Sequence, residues 1–152
     1  VYSVLIRPFE PRDSSDIIRI DAESFSTQNP TYDLFVYLAY GSEIFVADIG
    51  AMVVGYVVLV YREDEAKIMS IAVKKEFRRK GIGSMLLREA IKRAKEKGTK
   101  RLLLEVRVSN VAAQELYKKF GFSVVGVLDS YYSDGESAYL MSLDLNQADD
   151  FS

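Results

Sequence analysis

The chain has 152 residues, enough for one domain with a real core. Its hydrophobic fraction of 49% and charged fraction of 28% are ordinary for a globular protein, and a net charge of −2 gives no whole-molecule attraction to nucleic acid. There is no cysteine and no histidine, which excludes disulfides, thiol catalysis, a histidine base and histidine metal sites. No apolar run approaches the ~18 residues of a membrane span. Charges at Arg7, Glu10, Arg12 and Asp13 argue against a signal peptide. The expectation is a cytoplasmic protein with no membrane partner and no metal.

Residues 2–7 alternate as a first strand, stopped by Pro8 and Pro11. Asp13 and Ser14 are placed to cap a helix carrying Ile17, Ile18, Ile20 and Ala22. Residues 26–31, with Gln28, Asn29 and Pro30, read as a loop. Leu34, Phe35 and Leu38 read as a second short helix ending near Gly41. Residues 43–48 and 52–61 are apolar, β-branched strands around a hairpin turn at Ile49-Gly50. A polar connection, residues 61–65, leads to a buried strand, residues 67–74.

Residues 82–97 form the clearest helix. Ile82, Met85, Leu86, Ala90, Ile91 and Ala94 make one apolar stripe, and Gly98 terminates it. Residues 101–108 are a strand; Asn110 caps a helix running to Phe120, which Gly121 closes. Residues 122–128 and 137–145 are two last strands with a tyrosine-rich segment between them. An acidic tail follows from Asn146 and is expected to fray. With no repeat, low-complexity tract or linker, residues 1–152 are expected to form a single α/β domain around a mixed sheet.

The most informative stretch is Arg78-Arg79-Lys80-Gly81-Ile82-Gly83-Ser84. It lies between a strand and a helix start. A helix N-terminus offers unpaired N–H groups and partial positive charge, and glycine lets an anion approach the backbone. Lys74, Lys75, Arg78, Arg79 and Lys80 add attraction for phosphate, and a polyanion such as RNA or a plain solvated face are the alternatives. A second block follows, Leu104-Glu105-Val106-Arg107-Val108-Ser109-Asn110, leading into Leu116-Tyr117 and Gly121-Phe122.

Arg78-x-x-Gly81-x-Gly83 resembles the acyl-CoA-binding signature of the GCN5-related N-acetyltransferases. The downstream blocks, with the run from Tyr131-Tyr132 to Ala138-Tyr139-Leu140-Met141, resemble that family's N-terminal protein acetyltransferases. The likeness is to the ribosomal-protein alanine type and to the archaeal and NatA catalytic-subunit type. It covers residues 68–145 closely and the first half in pattern only. It implies a mixed, mostly antiparallel sheet flanked by helices. In that fold the strands at 67–74 and 101–108 lie adjacent and parallel, splaying at one end to admit acyl-CoA.

The resemblance also implies roles. Backbone amides from Arg79 to Ser84 would hold the CoA diphosphate, with Arg78 opening the signature. A main-chain N–H at Ile71, Ala72 or Val73 would polarise the thioester carbonyl. Glu105 would be the general base, through water. Tyr117 would protonate the leaving thiolate, and Asn110 would touch the pantetheine arm besides capping its helix. Each has a structural rival. A carboxylate within an apolar strand is costly unless paired, and Arg107, on the same face as Leu103 and Glu105, is the candidate partner. Tyr117 shares a helical face with Leu116 and Phe120 as a core aromatic would.

Tyr131, Tyr132 and Tyr139 offer rigid walls with polar tips for a peptide N-terminus, closed by the loop near Phe25 and Tyr32. Ordinary cross-strand aromatic pairs are the rival reading. Two departures stand out. NatA-type enzymes carry Pro-Glu-Asn in the first loop, where this chain reads Ser26-Thr27-Gln28-Asn29-Pro30. Those relatives also place His where this chain has Lys67.

An α-amine has a pKa of about 7.7–8.0 and a lysine about 10.4, so at neutral pH a single glutamate serves the former more easily. The reading is N-terminal protein acetylation by acetyl-CoA, by direct attack in a ternary complex. Protein or peptide N-termini, including ribosomal or nascent chains, would be the partners, with no sequence-specific nucleic acid. The oligomeric state stays open. A lysine or small-amine acetyltransferase of the same fold, and a non-catalytic acyl-CoA-binding domain, are the alternatives.

Overall fold

The computed structural model describes residues 3–25, 29–40 and 43–147. In chain order the elements are β1 (Leu5–Pro8), α1 (Ser14–Phe25), α2 (Pro30–Ala39), β2 (Glu43–Asp48), β3 (Val53–Arg62) and β4 (Glu65–Val73). Then come α3 (Ile82–Glu96), β5 (Arg101–Arg107), α4 (Val111–Lys119), β6 (Ser123–Leu128) and β7 (Ala138–Asp144). The seven strands form a sheet in the order β1-β2-β3-β4-β5-β7-β6. The β1–β2, β2–β3, β5–β7 and β6–β7 ladders are antiparallel, and β4–β5 is parallel. This is the mixed, mostly antiparallel α/β architecture expected from the sequence. The chain divides into two compact units, Val1–Val60 with Ile68–Ala90, and Tyr61–Lys67 with Ile91–Ser152.

In the first unit, Ile17 and Ile20 of α1 and Leu34 of α2 are buried in one cluster with Ile44, Val46, Val53, Tyr56, Val58 and Ala72. Every residue of β3 from Val53 to Leu59 is buried, as an interior strand covered on both faces should be. Gly55 permits that cover. A Cβ there would stand 3.0 Å from Leu86 Cδ1 and 3.1 Å from the Ala72 carbonyl oxygen, so a side chain would crowd both neighbours. On α3 the buried stripe contains Leu87 as well as Ile82, Leu86, Ala90, Ile91 and Ala94, whereas Met85 is only half-buried.

Several boundaries differ from expectation. Pro8 lies inside β1, paired with Phe45; β1 is at the sheet edge, where proline removes no needed bond. The expected cap at Asp13 and Ser14 is a different device. Asp13 closes a 3-10 turn by accepting from Glu10 N at 2.8 Å and pairs with Arg7 at 2.8 Å, while Ser14 Oγ donates to Pro11 O. Pro30 and Thr31, expected in a loop, are helical. Asn29 accepts from Tyr32 N at 3.1 Å, and proline suits the first helical turn. The expected positions at Tyr2, Ser26–Gln28, Gly41 and the tail beyond Gln147 lie outside the described residues.

In the second unit, β5 registers with β4 through Glu65↔Arg101, Ala66↔Leu102 and Lys67↔Leu103. The polar connection shrinks to Glu63-Asp64, because Glu65 and Lys67 alternate with buried Ala66 and so belong to the strand. Glu65 also pairs with Arg101 at 3.0 Å. Leu102, Leu104 and Val106 form the buried face of β5, and Met141 and Leu143 are buried opposite Leu104 and Leu102 on β7. Asn110 accepts from Ala113 N at 3.2 Å and starts α4. The buried Gln114 amide donates to the carbonyls of Arg107 and Val108, both at 3.0 Å, tying α4 to the end of β5. Gly98 and Gly121 adopt φ of 76° and 100° at the helix ends, as chain-terminating glycines do.

Candidate active site

The candidate residues fall in both units. In the first, β4 ends at Ile71, Ala72 and Val73, and a short 3-10 turn, Lys75–Phe77, leads to the glycine segment. Arg78 does not reach outward. Its Nε donates to the Val73 carbonyl at 2.9 Å and its Nη2 to Ser24 Oγ at 3.2 Å. Lys75 N donates to Glu23 Oε1 at 2.7 Å. The end of α1 therefore holds the turn through Glu23, in the sequence only the acid nearest the first loop, and Ser24. Nothing local in their sequence signals it, since their partners lie far along the chain.

Arg79 and Gly81 both have positive φ, 62° and 84°. Met85 N to Gly81 O, at 3.1 Å, is the first bond of α3. The N–H groups of Ile82, Gly83 and Ser84 thus precede any helical acceptor. Gly81 has no side chain to cap them, and nothing lies within 4 Å of where its Cβ would be. The first turn of α3 carries no acid, and Arg79 and Lys80 are exposed beside it. Such an open, cation-flanked helix end, led by a glycine, fits a diphosphate. Phe25, the last residue of α1, and Tyr32, in the first turn of α2, are 47% and 58% exposed.

In the second unit, Glu105 lies on the half-buried face of β5 with Leu103 and Arg107. The rival pairing with Arg107 is not the one formed. Glu105 Oε2 pairs with Lys67 Nζ at 2.7 Å, and its Oε1 accepts from the Tyr131 hydroxyl at 3.0 Å. Lys67, noted in the sequence only as a departure, is therefore the carboxylate's cation. Arg107 is taken up by Asp134 at 2.9 Å and Glu136 at 2.8 Å, and lies over the Tyr132 ring at 4.0 Å.

Tyr131 and Tyr132 meet edge-on with centroids 5.1 Å apart. Burial, and then Glu105, push the Tyr131 phenol up to about 12; burial also raises Tyr132. Tyr117 is buried on α4, 5.9 Å from the Phe122 ring. Burial, and then the nearby Tyr132, push its phenol up to about 12, so it holds its proton at neutral pH. Tyr139 is not brought to this cluster. It stands opposite Val106 on β7, on the other face of the sheet from Glu105. Chemically, the cluster supplies an accessible carboxylate, a protonated phenol and an aromatic wall. No helix among the described residues is long and apolar enough to cross a membrane.

Residues 14–122 match the pattern of the Acetyltransferase (GNAT) family. The chain is 38% identical over 154 residues to an N-alpha-acetyltransferase of Sulfurisphaera tokodaii, covering 92% of each. The solved ribosomal-protein-S18-alanine N-acetyltransferase from Escherichia coli superposes with a TM-score of 0.83 at 28% identity, covering 94% of each chain. Among solved structures, Ard1 from Thermoplasma volcanium superposes with a TM-score of 0.81 at 34% identity, covering 93% of this chain and 97% of that one.

Proposed function

The chain belongs to the GNAT acetyltransferase family, and from that premise we propose that it transfers the acetyl group of acetyl-CoA to the α-amine of protein N-termini. Proteins named for the acetylation of N-terminal amines align over nearly its whole length, which supports this acceptor over a lysine or a small amine. The observation that carries the chemical assignment is the Glu105 carboxylate, held by Lys67 and Tyr131 on the accessible face of β5.

In this reading the N–H groups of Ile82, Gly83 and Ser84 and the cations Arg79 and Lys80 bind the CoA diphosphate. Arg78 acts one step removed, fixing the turn to Val73 and Ser24. A main-chain N–H at the end of β4, among Ile71, Ala72 and Val73, receives the developing oxyanion. Asn110 starts α4 and with it sets Tyr117. Glu105 accepts, through water, the proton lost as the neutral amine attacks the thioester carbon. The C–N bond forms, the C–S bond breaks, and the Tyr117 phenol gives its proton to the leaving thiolate. With no cysteine in the chain, attack is direct, without a cysteinyl intermediate. Tyr131 and Tyr132 line the acceptor side, with ribosomal or nascent N-termini as the acceptors. The whole is one acetyltransferase domain working in the cytoplasm.

Mass spectrometry with acetyl-CoA and a peptide panel tests this. The panel holds free N-termini starting Ser, Ala and Met-Leu, and an Nα-blocked peptide with an internal lysine. Acetylation of the free N-termini alone is expected; acetylation of the blocked peptide's lysine would replace the reading. Glu105→Gln should lower kcat by about 10²-fold or more and Tyr117→Phe by about 10-fold, with acetyl-CoA affinity within about twofold. Wild-type rates in both variants would end the assignment.

A further inference from the structure

The tyrosine-bearing connection between β6 and β7, residues 129–137, is gathered onto one side chain. Arg107 Nη1 donates to Asp134 Oδ2 at 2.9 Å and to Glu136 Oε1 at 2.8 Å, and its guanidinium stacks on Tyr132 at 4.0 Å. The other Glu136 oxygen accepts from Ser109 N at 2.8 Å. The connection also closes on itself, through Tyr132 N to Glu136 O at 3.0 Å and Gly135 N to Tyr132 O at 2.9 Å. Hydrogen bonds from Ser109 and Arg107 hold the Glu136 carboxyl below its usual range. The Glu136 N–H, and then Arg107, do the same for Asp134.

The far end of this arrangement reaches the carboxylate assigned as base. Tyr132 buttresses Tyr131 edge-on, and the Tyr131 hydroxyl donates to Glu105 at 3.0 Å. Glu105 and Arg107 thus share a strand face, and a chain of contacts through Tyr131 and Tyr132 joins them. Ordering a loop costs backbone entropy at every residue, and such an anchor offsets part of that cost. One nitrogen, Nη1, serves both carboxylates while the guanidinium plane lies on the Tyr132 ring, and that stacked plane is what a lysine lacks.

We propose that Arg107 is a positioning residue for the acceptor. It folds residues 129–137 so that Tyr131 meets Glu105, and the Tyr131–Tyr132 pair forms the wall against which the first acceptor residues lie. The inference rests on the reading of Glu105 as base, and it assigns Arg107 to acceptor recognition rather than to acetyl-CoA binding.

Steady-state kinetics on Arg107→Met and Arg107→Lys, with both substrates varied, test it. Arg107→Met should raise the peptide KM by about 10-fold with the acetyl-CoA KM within about twofold, and Arg107→Lys should recover only part of the loss. Glycinamide, an acceptor with nothing beyond its α-amine to meet the wall, should show a smaller penalty than a peptide. Asp134→Asn with Glu136→Gln, which keeps Arg107 and weakens its two acceptors, should shift the peptide KM in the same sense even where Arg107→Met folds poorly. A peptide KM within twofold of wild type in both, or both KM values rising in proportion, overturns the proposal. Glu105→Gln, run alongside, reads the base assignment separately, because it acts on kcat.

Discussion

Asp21 and Glu105 are both carboxylates set among apolar neighbours, and the two units hold them in opposite ways. Asp21, on α1, is 1% exposed. The hydroxyls of Tyr56 and Tyr37 donate to its Oδ1 at 2.5 and 2.9 Å, and Tyr56 shares a further bond with Ser70 at 3.1 Å. Among the described residues its Oδ2 receives no donor. Burial, and then the neighbouring Asp33 carboxyl, push Asp21 up to about 6 against the pull of the two phenols. Glu105 has a side chain 15% exposed, a lysine at 2.7 Å and a single phenol. Hydroxyl donors satisfy the geometry of a buried acceptor but leave its charge uncompensated; a cation at the surface compensates it and keeps the group within reach of water. The first arrangement joins α1, α2, β3 and β4. The second leaves its carboxylate partly exposed beside a cation.

The contrast can be broken by experiment. The largest effect on stability is expected from Tyr56→Phe, which deprives Asp21 of its shortest donor in the interior. A loss of about 2–3 kcal/mol should appear as a lower urea midpoint at unchanged m. A loss under about 0.5 kcal/mol would mean that water already serves the carboxylate.

Next comes the pH dependence. Asp21 binds its proton more tightly folded than unfolded, where the value is about 3.9. Its stabilisation is therefore present below about pH 4 and is lost as pH rises towards 6, by on the order of 2 kcal/mol. Asp13 acts in the other direction. The Arg7 guanidinium holds it below the usual carboxylate range, so its stabilisation is present at higher pH and is lost on acidification. Asp21→Asn should remove the decline between pH 4 and 6, leave the acid limb, and raise Tm at neutral pH. An unchanged slope in that variant would assign the decline to another group.

The smallest effect is expected for Lys67→Met. The Lys67 side chain is 42% exposed, so solvent screens the pair and the loss of stability should stay below about 1 kcal/mol. A larger loss would place Glu105 in the same class as Asp21 and erase the contrast.

The features read correctly in advance act over a few residues. Asn110 accepts from Ala113 N, Gly98 and Gly121 take positive φ after their helices, and α3 starts at Ile82 behind Gly81. Caps, glycine turns and apolar periodicity are written in neighbouring residues, because the forces behind them reach only a turn of helix or a step of strand. Where the local pattern was ambiguous the reading slipped: Asn29-Pro30 serves equally as loop or as helix start, and Glu65 looks polar whether or not it belongs to a strand.

Partners were another matter. That Glu105 takes Lys67 and not Arg107, that Arg107 gathers Asp134 and Glu136, that Tyr139 faces away from Glu105, and that Glu23 and Ser24 hold the turn before α3 all depend on which strands and helices lie side by side, and in what register. Residues two apart on a strand share a face but diverge outward, whereas a neighbouring strand brings a distant side chain within bonding reach. Register is set by the burial of whole faces and by turn geometry, not by any one residue's neighbours along the chain. The chemistry available was therefore legible in the residue types and their spacing, while the pairing of charges that puts that chemistry to use was settled only when the sheet assembled.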